Sequence, residues 1–99
     1  MAQFDYHAAP HGAGFWLDCQ TDLMSAFNTR FIAPLLPKDD APLPVRGLNP
    51  VFEIEGQDYL MATQLAGAVH ASRLGKAEGS LSGQRDEILN ALDFLISGV

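Results

Sequence analysis

Few side chains in this chain have types and spacings that could do chemistry. His7 and His11 stand four apart, but the interval crosses Ala8-Ala9-Pro10 and runs into Gly12, so they share no helix face and form no zinc pair. With His70 they read as solvent-exposed imidazoles. Cys19, the single cysteine, falls on the apolar side of a strand, where a thiol behaves as a small hydrophobe, and no nucleophile signature surrounds it. Glu53 and Glu55 sit two apart on one strand face with nothing marking them for acid–base work. Phosphate-cradling glycine motifs and a nucleophile elbow are both missing. Only Thr29-Arg30 offers an arginine beside a hydroxyl, able to hold and polarise a phosphate. An exposed strand arginine in surface pairs is the plainer reading of Arg30. The expectation is a protein with no catalytic residue, no metal and no cofactor.

The charge balance narrows the partners. Six basic and 12 acidic residues leave a formal charge of -6, the wrong sign for tracking nucleic-acid phosphates unaided. A Lys/Arg-rich segment would complement such a surface, although a merely soluble protein carries the same sign. At 99 residues, 47% hydrophobic and 18% charged, the chain reads as one folded domain over residues 1–99. A lone cysteine implies no oxidising compartment, no apolar run approaches the roughly 18 residues of a membrane span, and the N-terminus lacks a signal-peptide layout. A cytoplasmic protein without membrane contact is expected.

The elements that would position these residues are mainly strands. Residues 3–7 alternate as a half-buried strand, Ala8 to Gly14 break the pattern, and Phe15 to Gln20 resume it with Phe15, Leu17 and Cys19 on one face. Leu23 and Met24 lie in the next turn, either a satellite of the core or a binding surface. A third strand runs from Phe27 and is ended, or pushed to an edge, by Pro34. Five prolines between Pro34 and Pro50 make a long excursion, with room for a short edge strand at Val45 or Leu48. Val51 to Ile54 and Tyr59 to Thr63 form a hairpin about Glu55-Gly56-Gln57-Asp58. Leu65 to Gly75 suits either strand or a helical turn, and Lys76 to Ser80 are polar.

The clearest helix comes last, over about 83–97. Ile88, Ala91, Leu92, Leu95 and Val99 form its apolar stripe, Ser82 is a candidate N-cap, and Asp86 and Glu87 complement its N-terminal dipole. The apolar pattern runs to the last residue, where chain ends are ordinarily polar and loose. The fold class expected is α+β and mainly antiparallel: a small curled sheet or SH3-like barrel with a C-terminal helix packed on it.

Several segments, taken in order, resemble the CcdB family of toxins from toxin–antitoxin systems. They are Leu17-Asp18-Cys19-Gln20-Thr21-Asp22-Leu23-Met24, Thr29-Arg30-Phe31-Ile32-Ala33-Pro34-Leu35, Asn49-Pro50-Val51-Phe52-Glu53-Ile54, Met61-Ala62-Thr63-Gln64 and Arg85 to Phe94. The resemblance covers nearly the whole chain, with residues 36–48 and the N-terminal loop matching least. It implies a homodimer of a barrel related to the MazF/Kid toxins. Such a toxin is not an enzyme: it binds the A subunit of DNA gyrase and traps gyrase on cleaved DNA. A CcdA-like antitoxin would neutralise it by wrapping a disordered, basic segment around it. Together the pair would repress its own operon, operator DNA being contacted only through the antitoxin, in a plasmid-maintenance module.

The gyrase-binding positions implied by the resemblance fall on Leu23, Met24, Asp93, Ile96, Ser97, Gly98 and Val99. Ser97 stands where the family has Trp, Ile96 where it has an aromatic residue, and Asp93 where it has Asn; His70 replaces a frequent Pro. Since Trp is the residue most enriched among interface hot spots, Ser97 is the departure that matters most. Two other readings remain at this stage: a MazF-like endoribonuclease using Arg30 with Thr29, and a gyrase-inactive toxin kept as an antitoxin-binding co-repressor.

Overall fold

The computed structural model describes residues 2–98, so Met1 and Val99 lie outside the description. Seven strands are formed: β1 (Asp5–Ala8), β2 (Phe15–Asp18), β3 (Thr29–Pro37), β4 (Val51–Ile54), β5 (Gln57–Met61), β6 (Gly67–His70) and β7 (Ala77–Ser80). They join in one curled antiparallel sheet of order β4-β5-β3-β2-β1-β7, with β6 paired to β3. One α-helix among the described residues, α1 (Arg85–Ser97), follows. The α+β, mainly antiparallel architecture is the one expected.

The long strand β3 organises the sheet. One edge pairs with β2 over residues 32–35, while the other takes β6 against residues 29–32 and β5 against residues 35–37. Pro34 neither ends this strand nor sits at a sheet edge, contrary to the sequence expectation. Its carbonyl accepts the Ala62 N–H at 2.8 Å, on the side where β6 has stopped and β5 has not begun. N and C=O of one strand residue point the same way, so the donor that proline lacks falls in that gap.

Leu17, Cys19, Ala33, Leu35, Phe52, Ile54, Met61 and Ile88 build the core, with Phe4 and Leu81 closing one end. Tyr6, Phe15 and Tyr59 extend it as edge-to-face aromatics, with centroids 4.9 and 5.1 Å apart. The Tyr6 ring lies across Gly79 of the neighbouring β7, where an added Cβ would collide with the phenol. Gly79→Ala should therefore lower the urea midpoint by an amount corresponding to about 1–3 kcal/mol, the usual cost of overpacking. An unchanged midpoint would show that Tyr6 moves aside freely. The β7 strand itself is missed by pattern reading, because Ala77-Glu78-Gly79-Ser80 has no apolar alternation and is made a strand by pairing with β1.

Other boundaries shift for local reasons. The hairpin turn is two residues, Glu55 and Gly56, both at positive φ, so β5 starts at Gln57. No strand forms at Val45 or Leu48; that segment is a turn. Ser82 does not cap α1. A 3-10 turn over Ser82–Gln84 precedes the helix, Gln84 occupies the cap position without a side-chain bond, and the Ser82 N–H is held by Ser80 Oγ at 3.1 Å.

Cys19 is buried, as its strand position implies. Burial, reinforced by the neighbouring Asp18 carboxylate, pushes its thiol up to about 12. The folded state therefore holds this proton more tightly than the unfolded chain does. The resulting stability is fully present below the ordinary thiol range and is lost as pH rises through it toward 12. Between pH 9 and 11, urea midpoints of the wild type should fall more steeply than those of Cys19→Ala, and equal slopes would count against the assignment. A thiol reagent at neutral pH should label Cys19 only on unfolding.

Candidate functional site

The opposite face of the sheet from the core carries a buried polar layer that sequence reasoning missed. Register places His7, Trp16, Asp18, Arg30 and Ile32 on this face. Arg30 is 1% exposed, and its Nε and Nη2 donate to Asp18 Oδ2 at 3.0 and 2.5 Å. The expectation of an exposed, surface-paired Arg30 is thus overturned: Ile32 stands opposite Asp18 in the register, and two residues earlier the guanidinium reaches back to the carboxylate. Being spent on Asp18, it is not presented to a phosphate, and Thr29 beside it points to the other face.

His7 also departs from expectation, being fully buried. Its Nδ1 donates to the Gly75 carbonyl at 2.8 Å, and Nε2 has no partner among the described residues. Trp16 lies beneath Arg73, whose guanidinium is 5.6 Å from the ring centre. Together with buried Leu74, these contacts strap residues 71–75 onto the sheet. Among the described residues no group of three or more His, Cys, Asp or Glu side chains could hold a metal ion.

The buried ion pair also orients Leu23 and Met24. Asp18 Oδ1 accepts the Gln20 N–H at 3.1 Å. The Gln20 side chain then donates to the Met24 carbonyl at 3.1 Å and accepts from the Phe31 N–H at 3.0 Å. Residues Asp22–Met24 form a 3-10 turn capped by Thr21 Oγ1, which accepts the Leu23 N–H at 3.3 Å. The turn is held entirely by polar bonds, so its apolar side chains are free for something else: Leu23 is 87% exposed and Met24 43%. Phe27 and Phe31 are exposed nearby in sequence. Leu23 and Met24 are therefore surface groups and not a satellite of the core.

The other expected site residues stand at the end of α1. Ile88 and Ala91 are buried against the sheet, Leu92 packs at its margin, and Leu95 and Ile96 are exposed, Ile96 by 82%. Leu95 therefore does not belong to the buried stripe. Ser97 Oγ donates to the Asp93 carbonyl at 2.8 Å, beside the exposed apolar side chains of Leu95 and Ile96. Gly98, at φ +77, caps the helix in the left-handed conformation, its N–H bonded to the Phe94 carbonyl at 2.8 Å. Val99, the last expected site residue, is outside the described residues.

Within one chain the two halves are tied to opposite ends of the helix. Asp22 Oδ1 accepts the Gln3 N–H at 2.8 Å, and Gln3 Oε1 accepts from Arg85, the first residue of α1, at 3.2 Å. Ser97 is 12 residues further on, about 18 Å along the axis. The structure brings Asp93, Ile96, Ser97 and Gly98 together and Leu23 with Met24, but no hydrogen bond joins the groups among the described residues. A separate open pocket beside the β4–β5 turn is acidic, lined by Asp39, Glu53 and Asp58 with Lys38, Gly56 and Gln57.

A family profile described as CcdB protein matches residues 3–98. The chain belongs to the CcdB family. Membership makes it a toxin of a toxin–antitoxin system. No curated protein matches the chain. Among the described residues no helix is long and apolar enough to cross a membrane. The CcdB match extends through both apolar groups and the helix that separates them.

Proposed function

We propose that this CcdB-family toxin acts by protein binding, docking on the A subunit of DNA gyrase in the cytoplasm and holding gyrase on cleaved DNA. The observation that carries the reading is the exposure of Leu23, Met24 and Ile96, positions that the family resemblance assigns to target binding. Exposed large apolar side chains held on ordered elements are what an interface core requires. A homodimer would set two turns and two helix ends around one axis, so that groups separated in a single chain act together. Residues Asp93, Ile96, Ser97, Gly98 and Val99, with Leu23 and Met24, form the gyrase-binding set.

The acidic pocket beside the β4–β5 turn and the net charge of -6 suit a basic, disordered antitoxin segment. In this reading the antitoxin releases gyrase, and the toxin reaches operator DNA only through it. An RNA-cleaving activity finds less support, since Arg30 is enclosed with Asp18.

Purified toxin at micromolar concentration should capture the gyrase A subunit and inhibit supercoiling, and addition of the antitoxin should reverse both. Neither capture nor inhibition, with tight antitoxin binding retained, would select the co-repressor reading instead. RNA cleavage by the purified wild-type toxin would select the nuclease.

A further inference from the structure

The least family-like part of the chain, the proline-rich excursion, makes one close contact with the helix end. Gly47 has φ +84, and a Cβ there would stand 2.9 Å from both Cδ2 and Cε2 of Phe94. The ring thus occupies the space that any other residue at position 47 would fill. Only glycine satisfies both the left-handed backbone and the approach of the ring.

The loop that offers this notch is anchored. Asn49, 5% exposed, accepts the Val45 N–H at 3.0 Å and donates to the Met61 carbonyl and Gln64 Oε1 at 2.9 and 2.8 Å. The Leu48 carbonyl accepts from the buried Thr63 hydroxyl. Val45 N–H therefore leads through one amide to the edge of β5, and Gly47 is fixed between two tethered residues. Phe94 in turn supplies the carbonyl that receives the Gly98 N–H. Seating its ring on Gly47 consequently sets the direction in which Ile96, Ser97 and Gly98 leave the sheet.

We infer that Gly47 and Phe94 form a latch that pre-orders the helix end for its partner, making both positioning residues for the site proposed above. The inference rests on that reading for its binding consequence, whereas the latch itself is testable in the free protein. Without it the last turn must be ordered on binding, which weakens association.

Amide hydrogen exchange and gyrase A binding should be measured for wild type, Gly47→Ala, Phe94→Ala and the double variant. Exchange at Gly98 is expected to quicken by about tenfold in either single variant, with affinity for the gyrase A subunit falling by about tenfold, while amides of β2 and β3 are unchanged. The double variant should be no worse than the worse single, because the two residues act as a unit. Should Gly47→Ala not fold, Phe94→Ala decides alone. Unchanged exchange at Gly98 in Phe94→Ala overturns the latch, whatever gyrase does. Altered exchange with wild-type affinity overturns its role in binding, and wild-type protein that ignores gyrase would overturn the target while leaving the exchange result to judge the latch.

Discussion

Arg30→Ala is expected to lower the stability of the folded toxin by about 3–5 kcal/mol, the cost of stranding one member of a buried ion pair. Both Arg30 and Asp18 are essentially inaccessible to water, at 1% and 0% exposure, so the remaining carboxylate would have no solvent to take the place of its partner. Small domains are stable by only about 5–15 kcal/mol, and such a loss leaves a large unfolded fraction or an insoluble product. The measurement is the urea midpoint at constant slope. An apolar pair, Asp18→Leu with Arg30→Met, should recover most of the loss, since the harm lies in the unpaired charge and not in the absence of attraction. A loss below about 1 kcal/mol for Arg30→Ala would mean that the pair behaves like a surface contact and that water reaches it. The single variant should also loosen the Leu23–Met24 turn, because Asp18 Oδ1 holds Gln20, whose amide holds Met24.

The polar layer behind that prediction shows where sequence reasoning reaches its limit. Periodicity assigns faces, and it placed Leu17, Cys19 and Ile88 in the core correctly, since a one-sided apolar pattern has one solution. It cannot show that the other face is also covered. Asp18 and Arg30 lie on different strands, and His7 meets Gly75 across 68 positions, so the register and the strap over residues 71–75 had to be known before either looked buried. The same holds for Pro34, whose harmlessness depends on a gap between two partner strands. By contrast, Leu23 and Met24 were legible from their place in a turn as either a satellite of the core or a binding surface, and Ile96 was a candidate through the family resemblance. Their order along the chain resembled the family; their separation by the length of α1 did not show until Gln3 was seen bonded to both Asp22 and Arg85. The Gly47–Phe94 contact had no signal at all, since neither residue is unusual where it stands in the sequence.

Removal of Ser97 to Val99 is expected to abolish growth arrest in a gyrase-sensitive host that lacks the antitoxin, without unfolding the protein. The buried helix residues Ile88 and Ala91 lie at least six positions upstream, and Ser97 and Gly98 contribute side-chain and capping bonds to the last turn alone among the described residues. Ile96→Lys separates the effects more finely. At 82% exposure, Ile96 has little folding energy to lose, within about 0.5 kcal/mol, whereas a charge in the centre of an interface should cost at least about 2 kcal/mol of binding, roughly thirtyfold in Kd. Leu23→Lys should do the same from the other group, and the two effects should add less than fully if both side chains enter one desolvated patch. Ser97→Trp tests the site in the favourable direction. A Trp there would supply the anchor that the family resemblance implies, on a helix already capped by Gly98, and if the proposed site is right, affinity for the gyrase A subunit should rise by about tenfold or more. Full toxicity of Ile96→Lys together with no gain from Ser97→Trp would move the gyrase surface away from the helix end, and the exposed turn at Leu23 and Met24 would have to carry it alone.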